Sequence, residues 1–301
     1  MLDKVKHLQS VQKILHTAND ILGYDVLKKS DVGATDINDT MYAQPLMLVA
    51  GLAHAEVMKQ KHPMLFTKVK AVAGFSLGEI TALCYAGAFS LEDALRLVKA
   101  RAMAMAECNG GAMCNVIGMS HQEVKSLCKR TGCTVANIIC NHDQKGLVQH
   151  NIFVCAGTLD GIDTMVKEIS AMKRDDGENP KSKKLRVSGA FHSKAMNPAR
   201  AQLDKVLGEI NISLPTDTLV YSNVTGQPYQ SVKEIRQNLS RHIVEPVLWH
   251  DTIQSLSEEE NVTTFIECGP QKVLSKVLQA YLKCQSDEES QSAMTVLTSD
   301  L

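Results

Sequence analysis

The first stretch of the chain repeats apolar residues with the spacing of one face of an α-helix. These positions are Val5, Leu8, Val11, Leu15 and Ile21. Gly23 follows them and is predicted to end the helix, because glycine is the residue that most often does so. A second helix is predicted to open at Gln44 and Pro45 and to continue to about residue 57, since proline is favoured in a first turn.

A short apolar run at residues 69–74 predicts a buried strand, and residues 75–79 turn directly from it into another helix. Residues 90–93, with the sequence SLED, form a capping box that predicts a third helix, which runs to about Cys108. A strand that passes straight into a helix is typical of α/β folds, so this part of the chain is predicted to be α/β.

The middle of the chain has a different order of elements, β-α-β-β-α-β, which is that of the ferredoxin-like split unit. The predicted strands are residues 112–118, 134–140, 151–156 and 184–188, and the predicted helices are residues 122–129 and 159–172. Beyond this unit, strands are predicted again at residues 219–223 and 263–267. We therefore expect an α/β domain formed by residues 1–111 and 189–301, interrupted by a ferredoxin-like subdomain at residues 112–188.

The composition excludes several classes of protein. The 301 residues include 32 Lys and Arg and 33 Asp and Glu, so the net charge is −1 and nucleic-acid binding is not expected. No apolar run reaches the roughly 18 residues of a membrane span, so no membrane association is expected. The nine cysteines form no CxxC pair, which favours free thiols in a reducing compartment over a zinc site or a disulfide framework.

Residues 74–78 have the sequence GFSLG, a G-x-S-x-G motif between a predicted strand and a predicted helix. That context is typical of a nucleophile elbow, in which a sharp turn exposes the serine and the glycines remove side chains that would clash with the crossing backbone. Ser76 is therefore the candidate nucleophile. The N–H of Leu77, at the start of the helix, is the candidate donor to an oxyanion. The alternative is a glycine-containing turn with an incidental serine.

Two further residues are candidates to act with Ser76. A serine nucleophile needs a base, and His192, directly after a predicted strand, is the candidate among ten histidines. No acidic residue near His192 in sequence can be assigned as the third member of a triad. Arg101 lies at the edge of the apolar stripe of the third helix, with no carboxylate three or four residues away. Such an arginine can bind a substrate carboxylate, and a surface arginine that lays its stem on apolar neighbours is the alternative.

A cluster of basic residues precedes the segment that contains His192. Its members are Lys181, Lys183, Lys184 and Arg186. A cluster of this kind is usually a solvated face, and it could also attract an acidic protein partner to the mouth of the site. Both interpretations stay open.

These motifs together resemble a known family, the malonyl-CoA:acyl-carrier-protein transacylases. The motifs that carry the resemblance are GFSLGE at residues 74–79, Arg101, GAFHS at 189–193, LGYD at 22–25, QP at 44–45, YSNV at 221–224, EPVLW at 245–249 and ECGP at 267–270. The resemblance covers nearly the whole chain. The sequence VSGAFH at residues 187–192 is most similar to the mitochondrial type of animals.

The resemblance implies an α/β-hydrolase-like core with a parallel sheet and a ferredoxin-like insertion. It also implies that Ser76 carries the malonyl group as an ester, that His192 moves the protons, and that Arg101 pairs with the malonyl carboxylate. Leu77 would supply one oxyanion N–H, and Phe191 matches the pattern of members that take malonyl and not methylmalonyl groups. In this family a main-chain carbonyl orients the histidine, which would account for the missing acid.

The resemblance also implies the partners and the place of the reaction. The substrates would be malonyl-CoA and the phosphopantetheine thiol of acyl carrier protein, with no cofactor and no metal. The implied role is type II fatty-acid synthesis in the mitochondrial matrix, although no transit peptide is visible in the chain. Nothing in the sequence requires more than a monomer.

Two features depart from the family pattern. Family members begin with a strand and a Gly-Gln-Gly-Ser-Gln turn that supplies a second oxyanion N–H, whereas this chain begins with Met1 and Leu2. We therefore expect an incomplete chain or impaired activity, because losing one oxyanion donor costs about 10²–10³ in kcat. Leu248 stands where bacterial members have glutamine, which matters only if that side chain helps to hold the histidine.

Two alternatives to the transferase are open. A serine thioesterase or esterase uses the same elbow, but its histidine comes late in the chain after an acid. Here more than 100 residues follow His192, which argues against that class. The second alternative is a shortened form of low activity that only binds carrier protein.

Overall fold

The computed structural model describes residue 2, residues 5–30, 39–260 and 262–282, residue 284 and residues 295–298. Its helices are α1 (Gln9–Leu22), α2 (Val26–Ser30), α3 (Thr40–Lys61), α4 (Pro63–Phe66), α5 (Leu77–Tyr85), α6 (Leu91–Glu107), α7 (His121–Thr131), α8 (Leu159–Ala171), α9 (Asn197–Glu209), α10 (Val232–His242), α11 (Trp249–Gln254) and α12 (Val273–Leu282). Its strands are β1 (Ala71–Val72), β2 (Gly111–Ile117), β3 (Thr134–Cys140), β4 (Ile152–Thr158), β5 (Lys181–Lys184), β6 (Leu219–Val220), β7 (Val247–Leu248), β8 (Thr264–Glu267) and β9 (Thr295–Thr298).

Four of the strands form the antiparallel sheet of a small subdomain. The neighbouring strands are β5, β2, β4 and β3 in that order, and each of these pairs is antiparallel. A β-α-β-β-α-β unit produces this order, so the predicted ferredoxin-like arrangement is confirmed. β7 extends the sheet by pairing in parallel with β3. The exact boundaries of the subdomain, at residues 112 and 188, stay a prediction.

The helices of this subdomain are capped by the side chains of the residues that precede them. α7 begins after Ser120, whose hydroxyl accepts the N–H of Glu123 while the Glu123 carboxylate accepts the N–H of Ser120. α8 begins after Thr158, whose hydroxyl accepts the N–H of Gly161. The apolar faces of both helices pack on the sheet, and the buried core there includes Cys114, Val116, Val124, Leu127, Phe153, Cys155, Ile162 and Met165.

The last strand of the subdomain differs from its prediction. β5 is Lys181–Lys184 and not residues 184–188, and it pairs antiparallel with residues 114–117 of β2. Its residues are polar because β5 is an edge strand, and exposed lysines on an edge discourage pairing with other chains. Leu185, whose apolar side chain suggested a strand, donates one more N–H to the Met113 carbonyl.

The first two predicted helices correspond to α1 and α3, and they confirm one sequence signal and correct another. Gly23 ends α1 in the left-handed conformation, with φ 81°, and donates its N–H to the Asn19 carbonyl. α3 begins earlier than predicted, because the Asp39 carboxylate caps it by accepting the N–H of Met41. Pro45 therefore lies inside α3 and not in its first turn.

The larger region holds the main apolar core and very short strands. β1 pairs in parallel with β6, and β8 pairs in parallel with β9. The strands predicted at residues 69–74 and 219–223 are present, but each is only two residues long. The main buried apolar cluster of this region also includes Val220 of β6. Most of its members come from helices α1, α3, α5, α6, α9 and α10. The mixed α/β class is thus confirmed.

Three findings bear on the expectations drawn from composition. Every helix within the described ranges is too short or too polar to span a lipid bilayer. All nine cysteines are free thiols. Across the part of the chain that the structure covers, no group of three or more His, Cys, Asp or Glu side chains is arranged to hold a metal ion.

Candidate active site

Ser76 lies in the turn between β1 and α5, with a backbone conformation that non-glycine residues seldom adopt. Its φ is 51° and its ψ is −111°. A Cβ placed on Gly74 would lie 1.9 Å from the Gly78 carbonyl, so only glycine fits at position 74. A Cβ on Gly78 would meet nothing within 4 Å, so the expectation that both glycines prevent a clash is wrong for Gly78. The turn has the geometry of a nucleophile elbow.

One side chain, that of Asn223, holds the strained turn from outside. Its Oδ1 accepts the N–H of Ser76 at 2.7 Å, and its Nδ2 donates to the Gly74 carbonyl at 2.8 Å. These bonds join positions 147 and 149 residues apart in sequence, and Asn223 is fully buried. No local pattern points to this role. The only signal in the sequence was the place of Asn223 within the family motif YSNV.

Ser76 and His192 form a hydrogen bond across 116 residues of sequence. The Oγ of Ser76 lies 2.8 Å from Nε2 of His192, and Nδ1 of His192 lies 2.8 Å from the main-chain carbonyl oxygen of His242. Because a carbonyl can only accept, Nδ1 carries the proton and Nε2 is free to accept one from Ser76. The His242 carbonyl therefore stands where a triad has its acid.

Burial determines the charge of this histidine. His192 is 4% exposed, and it has a positive φ of 55°. Burial and, to a smaller extent, the nearby Arg101 guanidinium lower the pKa of His192 to about 4, although hydrogen bonds to the main-chain carbonyls of His242 and Glu245 oppose the shift. The imidazole is consequently neutral near pH 7, the state in which it can act as a base.

Arg101 on α6 is 1% exposed, so the alternative of a surface arginine is wrong. One of its terminal nitrogens lies 3.1 Å from Oγ of Ser76, and the other donates to Oε1 of Gln44. Burial lowers the pKa of Arg101 to about 10, and the Glu79 carboxylate opposes that shift. The guanidinium thus stays charged at neutral pH. A buried cation next to a serine hydroxyl is a site for an anionic group.

Gln44 on α3 was not predicted as a site residue. It is buried, it accepts from Arg101, and its Nε2 donates to the Thr40 hydroxyl at 3.0 Å. An amide oxygen orients the guanidinium without neutralising it, whereas a carboxylate would compete with an anionic ligand. The signal for Gln44 was its place in the family motif QP, since periodicity marks it only as a helix start.

Leu77 and Phe191 flank the contact between Ser76 and His192. Leu77 is the first residue of α5, so its N–H has no acceptor within the helix and lies at the positive end of the helix dipole. Phe191 directly precedes His192 and is partly buried against the main core. Their expected roles, an oxyanion donor and a limit on acyl size, stay predictions.

Behind the pair lies a buried carboxyl group, that of Glu79 on α5. The Tyr229 hydroxyl donates to its Oε1, and its Oε2 lies 3.4 Å from Nδ1 of His242. Burial raises the pKa of Glu79 to about 7. Burial also lowers the pKa of His242, and the neighbouring His192 lowers it further. Glu79 follows the GFSLG motif directly, but sequence alone assigned it no role.

Leu248 of β7 contacts Asn223 and the small subdomain. Its N–H donates to the Asn223 carbonyl at 2.8 Å, and its side chain packs against the core of the small subdomain. The group that accepts from His192 Nδ1 is the main chain of His242. The side chain at position 248 is therefore not what orients the histidine in this structure.

Comparison with known proteins agrees with this geometry. Residues 7–300 match the profile of a family described as acyl transferase domain. Over 287 residues the chain is 34% identical to the probable malonyl-CoA-acyl carrier protein transacylase, mitochondrial, of Drosophila melanogaster, which covers 89% of this chain and 72% of that protein. Over 289 residues it is 33% identical to the malonyl-CoA-acyl carrier protein transacylase, mitochondrial, of Mus musculus, which covers 91% of this chain and 73% of that protein.

A solved structure shares the fold as well as the sequence. It is a malonyl-transacylase in complex with a type II PKS acyl-carrier protein. The TM-score is 0.81 at 27% identity, over 97% of this chain and 93% of that chain. The similarity therefore extends through both the small subdomain and the larger region.

Proposed function

The chain belongs to the acyl transferase family, and we propose that it moves a malonyl group from malonyl-CoA to the phosphopantetheine thiol of acyl carrier protein. The observation that carries this proposal is the convergence of two groups on one oxygen atom. Oγ of Ser76 lies 2.8 Å from Nε2 of His192 and 3.1 Å from a terminal nitrogen of Arg101. A nucleophile, a neutral base and a buried cation are what transfer of a carboxylate-bearing acyl group needs.

In the first step, Ser76 becomes malonylated. Its Oγ attacks the thioester carbonyl of malonyl-CoA while Nε2 of His192 accepts the hydroxyl proton. The developing oxyanion lies near the N–H of Leu77 at the start of α5. The C–S bond then breaks, and the imidazolium returns the proton to the departing CoA sulfur.

The second step reverses the first with a new thiol. Nε2 of His192 takes the proton of the phosphopantetheine thiol, and the sulfur attacks the malonyl ester. The bond to Ser76 breaks and the imidazolium protonates Oγ, which restores the free serine. The carbonyl of His242 accepts from Nδ1 in both steps, so the imidazole keeps one orientation throughout.

Arg101 selects the acyl group by its charge. Its guanidinium binds the free malonyl carboxylate. Gln44 accepts a hydrogen bond from one terminal nitrogen, and the other terminal nitrogen faces Ser76. An acetyl group offers no carboxylate and leaves this buried cation unpaired. Phe191, beside His192, limits the space for a methyl branch on the acyl chain.

The proposed steps use only groups that the chain and its two substrates supply, and no cofactor or metal ion takes part. The relatives from Drosophila melanogaster and Mus musculus are described as mitochondrial. We place the activity in the mitochondrial matrix, in type II fatty-acid synthesis.

The proposal is tested by intact mass after brief incubation with malonyl-CoA, followed by addition of phosphopantetheinylated carrier protein. We expect one malonyl group on the chain, mapped to Ser76, and its movement to the carrier. Carrier protein without phosphopantetheine is the control and should receive nothing. Loss of the malonyl group to water without transfer would instead indicate a thioesterase. Binding of carrier protein with no malonylation would indicate a form without turnover.

A further inference from the structure

A buried contact between an acid and an imidazole lies directly behind His192, and the two transfer steps do not use it. Glu79 is 0% exposed and His242 is 1% exposed. Oε2 of Glu79 lies 3.4 Å from Nδ1 of His242, and the rings of His242 and His192 lie 5.2 Å apart between centroids. Burying a carboxyl and an imidazole is unfavourable unless each is partnered, so their placement calls for a reason.

His242 contacts both sides of this arrangement. Its side chain faces Glu79, while its main-chain carbonyl accepts from Nδ1 of His192 at 2.8 Å. His242 is the last residue of α10, where carbonyl groups have no acceptor role left inside the helix. The orientation of that carbonyl consequently depends on how the end of α10 is held.

Glu79 is well placed to hold it. The Tyr229 hydroxyl donates to its other oxygen, and the main chain of Asn223 also bonds to the carboxylate. The N–H of Glu79 donates to the Ser76 carbonyl at 3.0 Å. Glu79 therefore lies in the first helical turn after the serine. Successive contacts thus connect Ser76 to Glu79, Glu79 to His242, and His242 to His192.

We propose that Glu79 is a positioning residue for His192. By holding the His242 imidazole, it fixes the carbonyl that keeps His192 in the tautomer whose Nε2 accepts the Ser76 proton. This requires no net charge on His242, because a neutral imidazole with its proton on Nδ1 can donate to the Glu79 oxygen that lies 3.4 Å away. The lowered pKa of His242 agrees with that state. The inference rests on the proposed acyl transfer and concerns residues that do not touch the substrate.

The test is the rate constant for malonylation of Ser76 in a single turnover, followed by intact mass. We expect Glu79→Ala and His242→Ala each to lower this rate constant by about tenfold or more, since a misplacement of about 1 Å can cost up to 10²-fold. The KM for malonyl-CoA should stay unchanged, because neither residue touches the substrate. If a variant only folds poorly, a smaller fraction of its molecules becomes malonylated, but the rate constant of the folded molecules stays the same.

The double variant shows whether both residues act through one contact. If they do, Glu79→Ala combined with His242→Ala is no slower than the slower single variant. Additive losses would overturn the inference, because they would place the two residues in separate roles. Equal rate constants in the single variants and the unmodified chain would overturn it as well.

Two matched variants sharpen the result. Glu79→Gln keeps an oxygen acceptor of the same reach, so its rate constant should stay within about threefold of that of the unmodified chain. Gln237→Ala changes an exposed side chain of α10 more than one turn before His242. This control should leave the rate constant unchanged, because surface substitutions away from such contacts have small effects.

A second reagent separates this inference from the proposed function. A sulfonyl fluoride reacts with an activated serine without needing malonyl recognition. If the unmodified chain reacts with it but not with malonyl-CoA, the proposed function fails, and the variants are then compared by sulfonylation rate. If Ser76 in the unmodified chain reacts with neither reagent, it is not activated and the positioning role is overturned.

Discussion

The small subdomain and the larger region differ in where they keep polar side chains. The core cluster between the subdomain sheet and its helices consists of apolar and cysteine residues. In the larger region, buried polar side chains gather around Ser76: Gln44, Glu79, Arg101, His192, Asn223 and His242. The described part of the small subdomain buries three polar side chains, Asn137, His142 and Asn151. The larger region buries many more, and the six around Ser76 include the charged ones.

That difference shows which region carries the chemistry. Ser76 and His192 are the non-glycine residues with positive φ in the described part of the chain, and both lie in the larger region. Strained backbone and buried charge persist only where surrounding contacts hold them. The strands β2 to β5 of the subdomain are four to seven residues long. The strands β1 and β6 beside the site are only two residues long.

The largest expected effect comes from the nucleophile. Ser76→Ala removes the atom on which His192 and Arg101 converge. We expect malonylation to fall by about 10³-fold or more, because loss of a nucleophile removes the covalent route. Single-turnover labelling measures this loss, and the melting temperature serves as the folding control. Labelling that persists at another residue would contradict the assignment of Ser76.

The next effect tests the other region. Phe153 on β4 is 0% exposed in the core of the small subdomain. Phe153→Ala should lower the free energy of unfolding by about 3–5 kcal/mol, because it leaves a cavity in a close-packed core. Urea unfolding measures this change. The malonylation rate constant of the chains that remain folded should not change, and a parallel fall in that rate constant would show that the two regions are coupled.

A smaller effect is expected on substrate choice. Arg101→Ala should lower kcat/KM for malonyl-CoA by about 10- to 10²-fold, the range of a charged hydrogen bond. The ratio of malonyl to acetyl transfer should fall by a similar factor, since acetyl-CoA never used the cation. Arg96→Ala on the same helix is the matched control, because Arg96 is exposed and pairs with Asp93. An unchanged ratio would remove Arg101 from carboxylate recognition.

The smallest effect is expected at the subdomain surface. Nζ of Lys184 lies 2.7 Å from the Asp163 carboxylate, and both side chains are exposed. Lys184→Gln should change the free energy of unfolding by less than about 1 kcal/mol, as exposed ion pairs contribute little. Urea unfolding at low and high salt checks this. A loss above about 2 kcal/mol would show that the edge strand contributes more than an exposed pair does.

The sequence predicted the subdomain better than the site for a physical reason. The helix at residues 122–129 and the strand at residues 134–140 follow from local signals, and the structure confirms both. The GFSLG motif likewise indicates the elbow, because one tight turn determines it. The contacts that Asn223 and Tyr229 make with this segment span 147 to 150 residues, so no local period reveals them.

The predictions that the structure corrects have the same physical origin. The strand β5 lies at other residues than predicted, because an edge strand needs no apolar pattern and a run of lysines is also typical of a loop. Arg101 could not be assigned to surface or interior, because burial of a charge depends on partners from other helices. The family resemblance supplied what spacing could not, namely a main-chain carbonyl in place of a triad acid. The carbonyl proved to be that of His242.

The most direct test of the account is the pH dependence of the malonylation rate of Ser76, with the malonyl group located by peptide mass. A buried His192 with a pKa of about 4 is neutral, and therefore active as a base, above that pH. We predict a rate that changes by no more than about threefold from about pH 5.5 to 8, where Glu79 changes its protonation, and that falls steeply as the pH drops through about 4. A midpoint near the ordinary histidine pKa of 6.5, or a malonyl group on another residue, would contradict the account.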